Sequence, residues 1–179
     1  LLARTGYTGE DGFEMIVPNE DAPAVWAALM DKGAVPCGLG SRDVLRLEAG
    51  LLLHGNDMDT TVNPYEAVLD RFVDPDRDGY VAGEALRRIR DEGPSKKLVG
   101  FQMRSRRIAR HGYPITDGSQ QIGEVTSGGH SPTLDRSIGL GYVPTDLSTV
   151  GTRLTIDIRG RAETAEITDL PFYSRRRSG

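Results

Sequence analysis

The sequence holds one cysteine, Cys37, in 179 residues. No disulfide can form within it, and such usage suits a reducing compartment, here expected to be the cytoplasm. The neighbours Val35, Pro36 and Leu39 predict a packed thiol, not a reactive one. Histidine is also scarce, at three residues. His54 lies near Asp57 and Asp59, but that spacing matches no defined ligand set, so no metal is expected. No run of about 18 apolar residues occurs, which excludes a transmembrane helix. No signal peptide is visible in the sequence, whose first residue, Leu1, is not a methionine. Basic residues do not exceed acidic ones: 22 Lys and Arg stand against 26 Asp and Glu, for a net charge of -4 and a pI near 5.4. That balance argues against nucleic acid as a partner. The one basic run, Arg175-Arg176-Arg177, reads as a solvated end. The single tryptophan, Trp26, shares a helical spacing with Val25, Leu29 and Met30 and is predicted to be core.

What the sequence does contain is a dense opening, Tyr7-Thr8-Gly9-Glu10-Asp11-Gly12-Phe13-Glu14-Met15-Ile16-Val17. Two glycines bracket an acidic pair, a tight-turn signal. Alternation follows, with Phe13, Met15 and Val17 on one side and Glu14 and Ile16 on the other. A strand here places a carboxylate among apolar neighbours, which is unfavourable unless donors meet it. Two readings stand at this point: a structural ion pair with an arginine, or a planar acceptor for a heterocycle with two parallel N–H donors. A second dense stretch, Ser41 to Gly50, predicts a short helix with Ser41 as N-cap and Gly50 as its stop. Arg42 and Arg46 are i,i+4 on it and repel mildly, so negative charge is expected over that face. Asp43 and Glu48 give partial relief; Glu14 or an anionic ligand is the other candidate.

Along the chain, residues 24–32 predict a helix ended by Gly33. The first third has too few strands to close a core by itself and reads as the tail of a larger α/β layer. Asp74, Asp76, Asp78 and Gly79 imitate a calcium loop, but the twelfth position is Ala85 in place of a bidentate glutamate, so calcium is not expected. A helix over 83–91 follows, then a polar linker at Asp91-Glu92-Gly93-Pro94. Beyond it the period shortens to six strands, at 98–104, 113–117, 120–127, 137–143, 153–159 and 163–170. Six short strands with regular turns predict a small antiparallel barrel or sandwich. The fold class is α+β, with domains at 1–93 and 94–179.

The strings ARTGYTGEDGFE, SRDVLRLEAG, LHGNDMD, IGEVTSGGHSPTL and LPFY together resemble the T-proteins of the glycine cleavage system, over essentially the whole chain and in that family's order. By this resemblance the chain is the C-terminal half of such a protein: the end of an α/β folate-binding domain, then a small β-barrel. The family is a tetrahydrofolate-dependent aminomethyltransferase whose partner is the lipoylated H-protein. It moves a one-carbon unit from the aminomethyl-dihydrolipoyl arm to tetrahydrofolate and releases ammonia. The resemblance implies that Glu14 grips the pterin edge, that Tyr7 lines the same pocket and that Arg42 contacts folate. The family's key aspartate falls in the other half, so no catalytic residue is assigned here and the chain alone is expected to be inactive. His111, beside Arg110, is expected near an edge strand and turn. The basic tail is a weak candidate for the glutamates of a polyglutamyl folate. The alternatives are a folate-dependent demethylase of the same superfamily and a non-catalytic folate-binding relative.

Overall fold

The computed structural model describes residues 1–175; Arg176 and Arg177 of the basic run lie outside them. The elements in order are β1 (Leu2–Ala3), β2 (Glu14–Met15), α1 (Ala22–Asp31), α2 (Leu39–Glu48), α3 (Gly83–Glu92) and six further strands. These are β3 (Lys96–Met103), β4 (Pro114–Thr116), β5 (Gln121–Ser131), β6 (Arg136–Pro144), β7 (Arg153–Asp157) and β8 (Ala162–Thr168). The six close into an antiparallel barrel in the order β3-β6-β5-β4-β7-β8. All six expected strands are present, and closure leaves the barrel no free sheet edge.

Strand alternation decides where the core sits. Val99, Phe101 and Met103 of β3 point into the barrel with Ile115, Val125, Ile156 and Ile167. Leu98 of β3 and Ile138, Leu140 and Tyr142 of β6 point outward and join Leu47 of α2 in a second cluster. Strand β6 is therefore buried on both faces, and its sequence carries an almost unbroken apolar and glycine run instead of clean alternation. The second cluster fastens α2 to the barrel wall.

The turn between β4 and β5 is built by one carboxylate. Asp117 Oδ1 accepts from Ser119 N, Ser119 Oγ and Gln120 N at 2.8, 2.8 and 3.0 Å. Those backbone and hydroxyl donors hold its pKa down at about 2. A carboxylate depressed in the fold contributes stability above the unfolded value and loses it as pH falls through the folded value. Asp117→Asn keeps an acceptor without the charge. Its melting temperature is expected to fall less than that of the wild type between pH 4 and about pH 2. Thermal melts across that range are the check.

The first fifty residues depart from the sequence reading in four places. Helix α1 buries none of its residues, and Trp26, expected in the core, is 58% exposed. Cys37 and Val35 are likewise exposed, not packed. Helix α2 starts at Leu39 with Gly38 as its N-cap, three residues before the expected cap at Ser41, whose N–H instead donates to Gly38 O at 3.1 Å. The expected strand after the turn is only two residues long, and Phe13, Met15 and Ile16 are all exposed. Periodicity put those apolar residues on shared faces, but Trp26, Phe13, Met15 and Ile16 on them are exposed. Gly50 does stop α2: at φ 66° it lets Leu51 N bond back to Arg46 O at 2.8 Å. No helix among the described residues is long and apolar enough to cross a membrane. Of the calcium-like loop, Asp76 pairs with Arg90 at 2.7 Å.

Candidate functional site

The opening motif folds into a loop between β1 and β2, pinned at both ends. Leu2 pairs with Met15 and Ala3 with Glu14 in the short antiparallel ladder. Just inside it, Arg4 grips Asp11 with two bonds, Nε to Oδ1 at 2.9 Å and Nη2 to Oδ2 at 2.7 Å. Glu10, at the loop tip, accepts from the hydroxyl of Tyr173 at 2.7 Å. Tyr173 in turn is fixed by its backbone N–H to Glu48 O at 2.8 Å. The LPFY segment thus returns to the motif from the far end of the chain.

Gly9 seats the loop on the end of α2. Its φ is 75°, and an added Cβ would fall 2.7 Å from the Cβ of Ala49. Alanine there meets both a left-handed backbone and a clash. Gly9→Ala is expected to destabilise the fold by about 1–3 kcal/mol. It should also loosen Tyr7, which urea denaturation and tyrosine fluorescence together would read.

Tyr7 is half-buried, and its hydroxyl donates to Leu52 O. Burial pushes the phenol's pKa up, so it stays a donor at neutral pH. The guanidinium of Arg42 lies over the Tyr7 ring, 4.8 Å from its centroid. The Arg42 side chain makes no hydrogen bond or ion pair among the described residues, so its five N–H groups stay available.

One turn on, Arg46 has the opposite fate. It is 2% exposed and donates to Asp43 Oδ1 at 2.8 Å, Asp57 Oδ2 at 2.6 Å and Ser127 Oγ at 2.9 Å. The relief expected over the arginine face thus comes from Asp43 and Asp57, not from Glu14. Glu48, also buried, points at β5 and accepts from Ser131 Oγ and, at 3.0 Å, from Thr133 Oγ1. These two polar links fix α2 against the barrel and so fix where Arg42 projects.

Of the three candidate site residues, Tyr7 and Arg42 are brought into direct contact. Glu14 stands apart on β2, exposed, with no side-chain partner among the described residues. The premise that it is enclosed by apolar neighbours is corrected, because those neighbours are exposed too. The ion-pair reading does not hold among the described residues either. What remains is a loop and helix end presenting one carboxylate, one aromatic face and one guanidinium, none of them consumed by the fold's own ion pairs. The sequence reading missed Asp57 and Ser127 as partners of Arg46 and missed the clasp of Tyr173 on Glu10. Asp57 carried a signal in the LHGNDMD string; the tyrosine clasp spans 163 positions and left none.

Comparison with known proteins bears on the fold and the family. Residues 1–77 match the family model described as GCVT N-terminal domain. Residues 96–174 match that described as glycine cleavage T-protein C-terminal barrel domain. An aminomethyltransferase of Halothermothrix orenii is 50% identical over 176 residues, covering 96% of this chain and 49% of its own length. One from Rubrobacter xylanophilus is 49% identical over 179 residues, covering 99% and 47%. The crystal structure of the glycine cleavage system aminomethyltransferase T from Bartonella henselae superposes with a TM-score of 0.93 at 36% identity, over 97% of this chain and 50% of that one. The chain spans about half the length of the curated relatives it matches.

Proposed function

Because the chain belongs to the glycine cleavage T-protein family, we propose that it forms the folate-holding part of an aminomethyltransferase. Tetrahydrofolate is the acceptor of the one-carbon unit, the aminomethyl-dihydrolipoyl arm of H-protein the donor, and ammonia the other product. Glu14 accepts the paired N–H groups of the pterin edge, Tyr7 offers its ring as a wall, and Arg42 donates to the folate's oxygens. The observation that carries this reading is the stacking of Arg42 on Tyr7 with its donors unspent. A guanidinium so placed is oriented before any ligand arrives, which lowers the ordering cost of binding. Residues 1–93 supply these groups, and residues 94–179 supply the barrel against which α2 is braced. The reaction belongs in the cytoplasm.

No group in this chain is assigned to move a proton, and in this reading the chain alone binds folate weakly and does not turn over. The test sets the 179-residue chain beside a protein of the relatives' full length that contains it. Calorimetry with tetrahydrofolate and an assay of ammonia release from aminomethylated H-protein are run on both. Binding and turnover are expected in the long form, with weak binding and no turnover in the short one. Absence of folate binding in the long form would overturn the reading.

A further inference from the structure

A cleft of about 580 Å³ opens between the turn Gly55 to Asp59 and the outer wall of the barrel. That size lies within the range of small-molecule sites. Lys96, His111, Glu124 and Asp59 stand around it, and Asp57, Thr126 and Tyr142 form its buried side. It is separate from the surface carrying Tyr7, Arg42 and Glu14, none of which lines it.

Its buried side holds two polar atoms without partners among the described residues, Asp57 Oδ1 and Thr126 Oγ1. Asp57 is fully buried and Thr126 6% exposed. The other oxygen of Asp57 is satisfied twice, by Arg46 Nη1 at 2.6 Å and Leu53 N at 2.8 Å. Buried polar atoms are nearly always paired, so an orphan pair in one wall calls for a partner. His111 Nδ1 lies 3.1 Å from Thr126 O. A carbonyl only accepts, so Nδ1 carries a hydrogen and the ring is held beside Thr126.

Charge points the same way. Asp57 and Asp43 share the one guanidinium of Arg46. Asp59 and Glu124 add two carboxylates, against the single ammonium of Lys96 over the Tyr142 ring, 5.1 Å from its centroid. Burial first, and then Asp57, Glu66 and Asp59, push the pKa of Tyr142 up, as a negative surrounding must. An uncharged donor finds no special favour in such a wall, whereas a cation with several N–H groups does.

We propose that this cleft binds a primary ammonium group, three N–H donors carrying one positive charge, presented by a small amine or by an amino acid zwitterion. The ammonium goes to the side of Asp57 and Thr126, where the orphan oxygens are. Gly55, where an added Cβ would meet nothing within 4 Å, stands on the open side of the cleft. Lys96 is placed to meet the carboxylate of a zwitterion. The proposal does not depend on the folate reading.

The test is a titration of the 179-residue chain followed by backbone amide NMR shifts and calorimetry, with n-propylammonium, alanine and tetramethylammonium as probes. Propylammonium is expected to shift resonances of the Gly55 turn and of His111 and Thr126. It should bind about tenfold more tightly than tetramethylammonium, which has the charge without the donors. Thr126→Val keeps the shape, removes one acceptor and breaks no existing bond; it should weaken propylammonium about five- to tenfold. Stronger binding of alanine than of propylammonium, lost in Lys96→Met, would support the proposal and assign the zwitterion as the source. Equal affinity for propylammonium and tetramethylammonium, or shifts confined to the acidic loop at Asp74 to Asp78, would overturn it. Unchanged binding in a folded Thr126→Val would do the same.

Discussion

Arg46→Ala is expected to lower the unfolding free energy by about 3–5 kcal/mol, the usual result of stranding a buried charge. The side chain joins three segments far apart in sequence. From α2 it reaches Asp57 in the turn after the leucine run and Ser127 on β5, and it also donates to Leu51 O at 3.3 Å. Removing it leaves Asp57 fully buried, with one oxygen already unpartnered and the other holding only the Leu53 N–H. The loss therefore comes chiefly from the carboxylate left behind, not from the attraction removed. Two companions separate those causes. Asp57→Asn with Arg46 intact should fall between wild type and Arg46→Ala. The double change Arg46→Met with Asp57→Leu should recover most of the loss, because neither charge then remains to be buried. Urea denaturation of the four proteins makes the comparison. A single Arg46→Ala within about 0.5 kcal/mol of wild type would show the pair to be better hydrated than its burial implies.

The same residue shows how far the sequence could be read. Its spacing from Arg42 is visible, and so is the need for negative charge nearby. Which arginine turns inward is not visible, because that depends on the barrel wall that α2 meets, and the wall lies some eighty positions away. The barrel itself was legible strand by strand: its turns are local signals, such as the Asp117-Gly118 pair, and alternation is clear in β7 and β8. Strand β6 was placed correctly even though both faces are buried, since its turns bound it. The opening third was less legible for the opposite reason. Periodicity assigns Trp26, Phe13 and Met15 to faces but carries no information on whether anything covers a face. Glu14 was inferred from its apolar neighbours to be enclosed, and it is exposed along with them. Its candidacy for a site now stands on its freedom from partners, together with the match of its motif to the family.

Glu14→Ala is expected to weaken tetrahydrofolate binding by about 2–4 kcal/mol, which is roughly thirty- to a thousandfold in the dissociation constant. The estimate rests on what an exposed carboxylate gains when a ligand covers it. In the free protein its oxygens are hydrated, so the alanine variant should fold as the wild type does, with an unchanged melting temperature. In the proposed complex the two oxygens are coplanar acceptors for two N–H donors of the heterocycle, and the ring removes water from them. Taking the acceptors away then leaves the ligand's donors buried and unpaired, the expensive half of any broken hydrogen bond. Glu14→Gln divides the effect. One acceptor survives and the charge is gone, so its loss should be smaller than that of alanine but still measurable. Calorimetry in a protein of the relatives' full length, at matched folded concentration, gives all three numbers. Should Glu14→Ala bind tetrahydrofolate like the wild type, the carboxylate does not hold the pterin. The contact of Arg42 with Tyr7 would then have to account for folate on its own, and a stacked guanidinium recognises oxygens, not the N–H edge of a pterin.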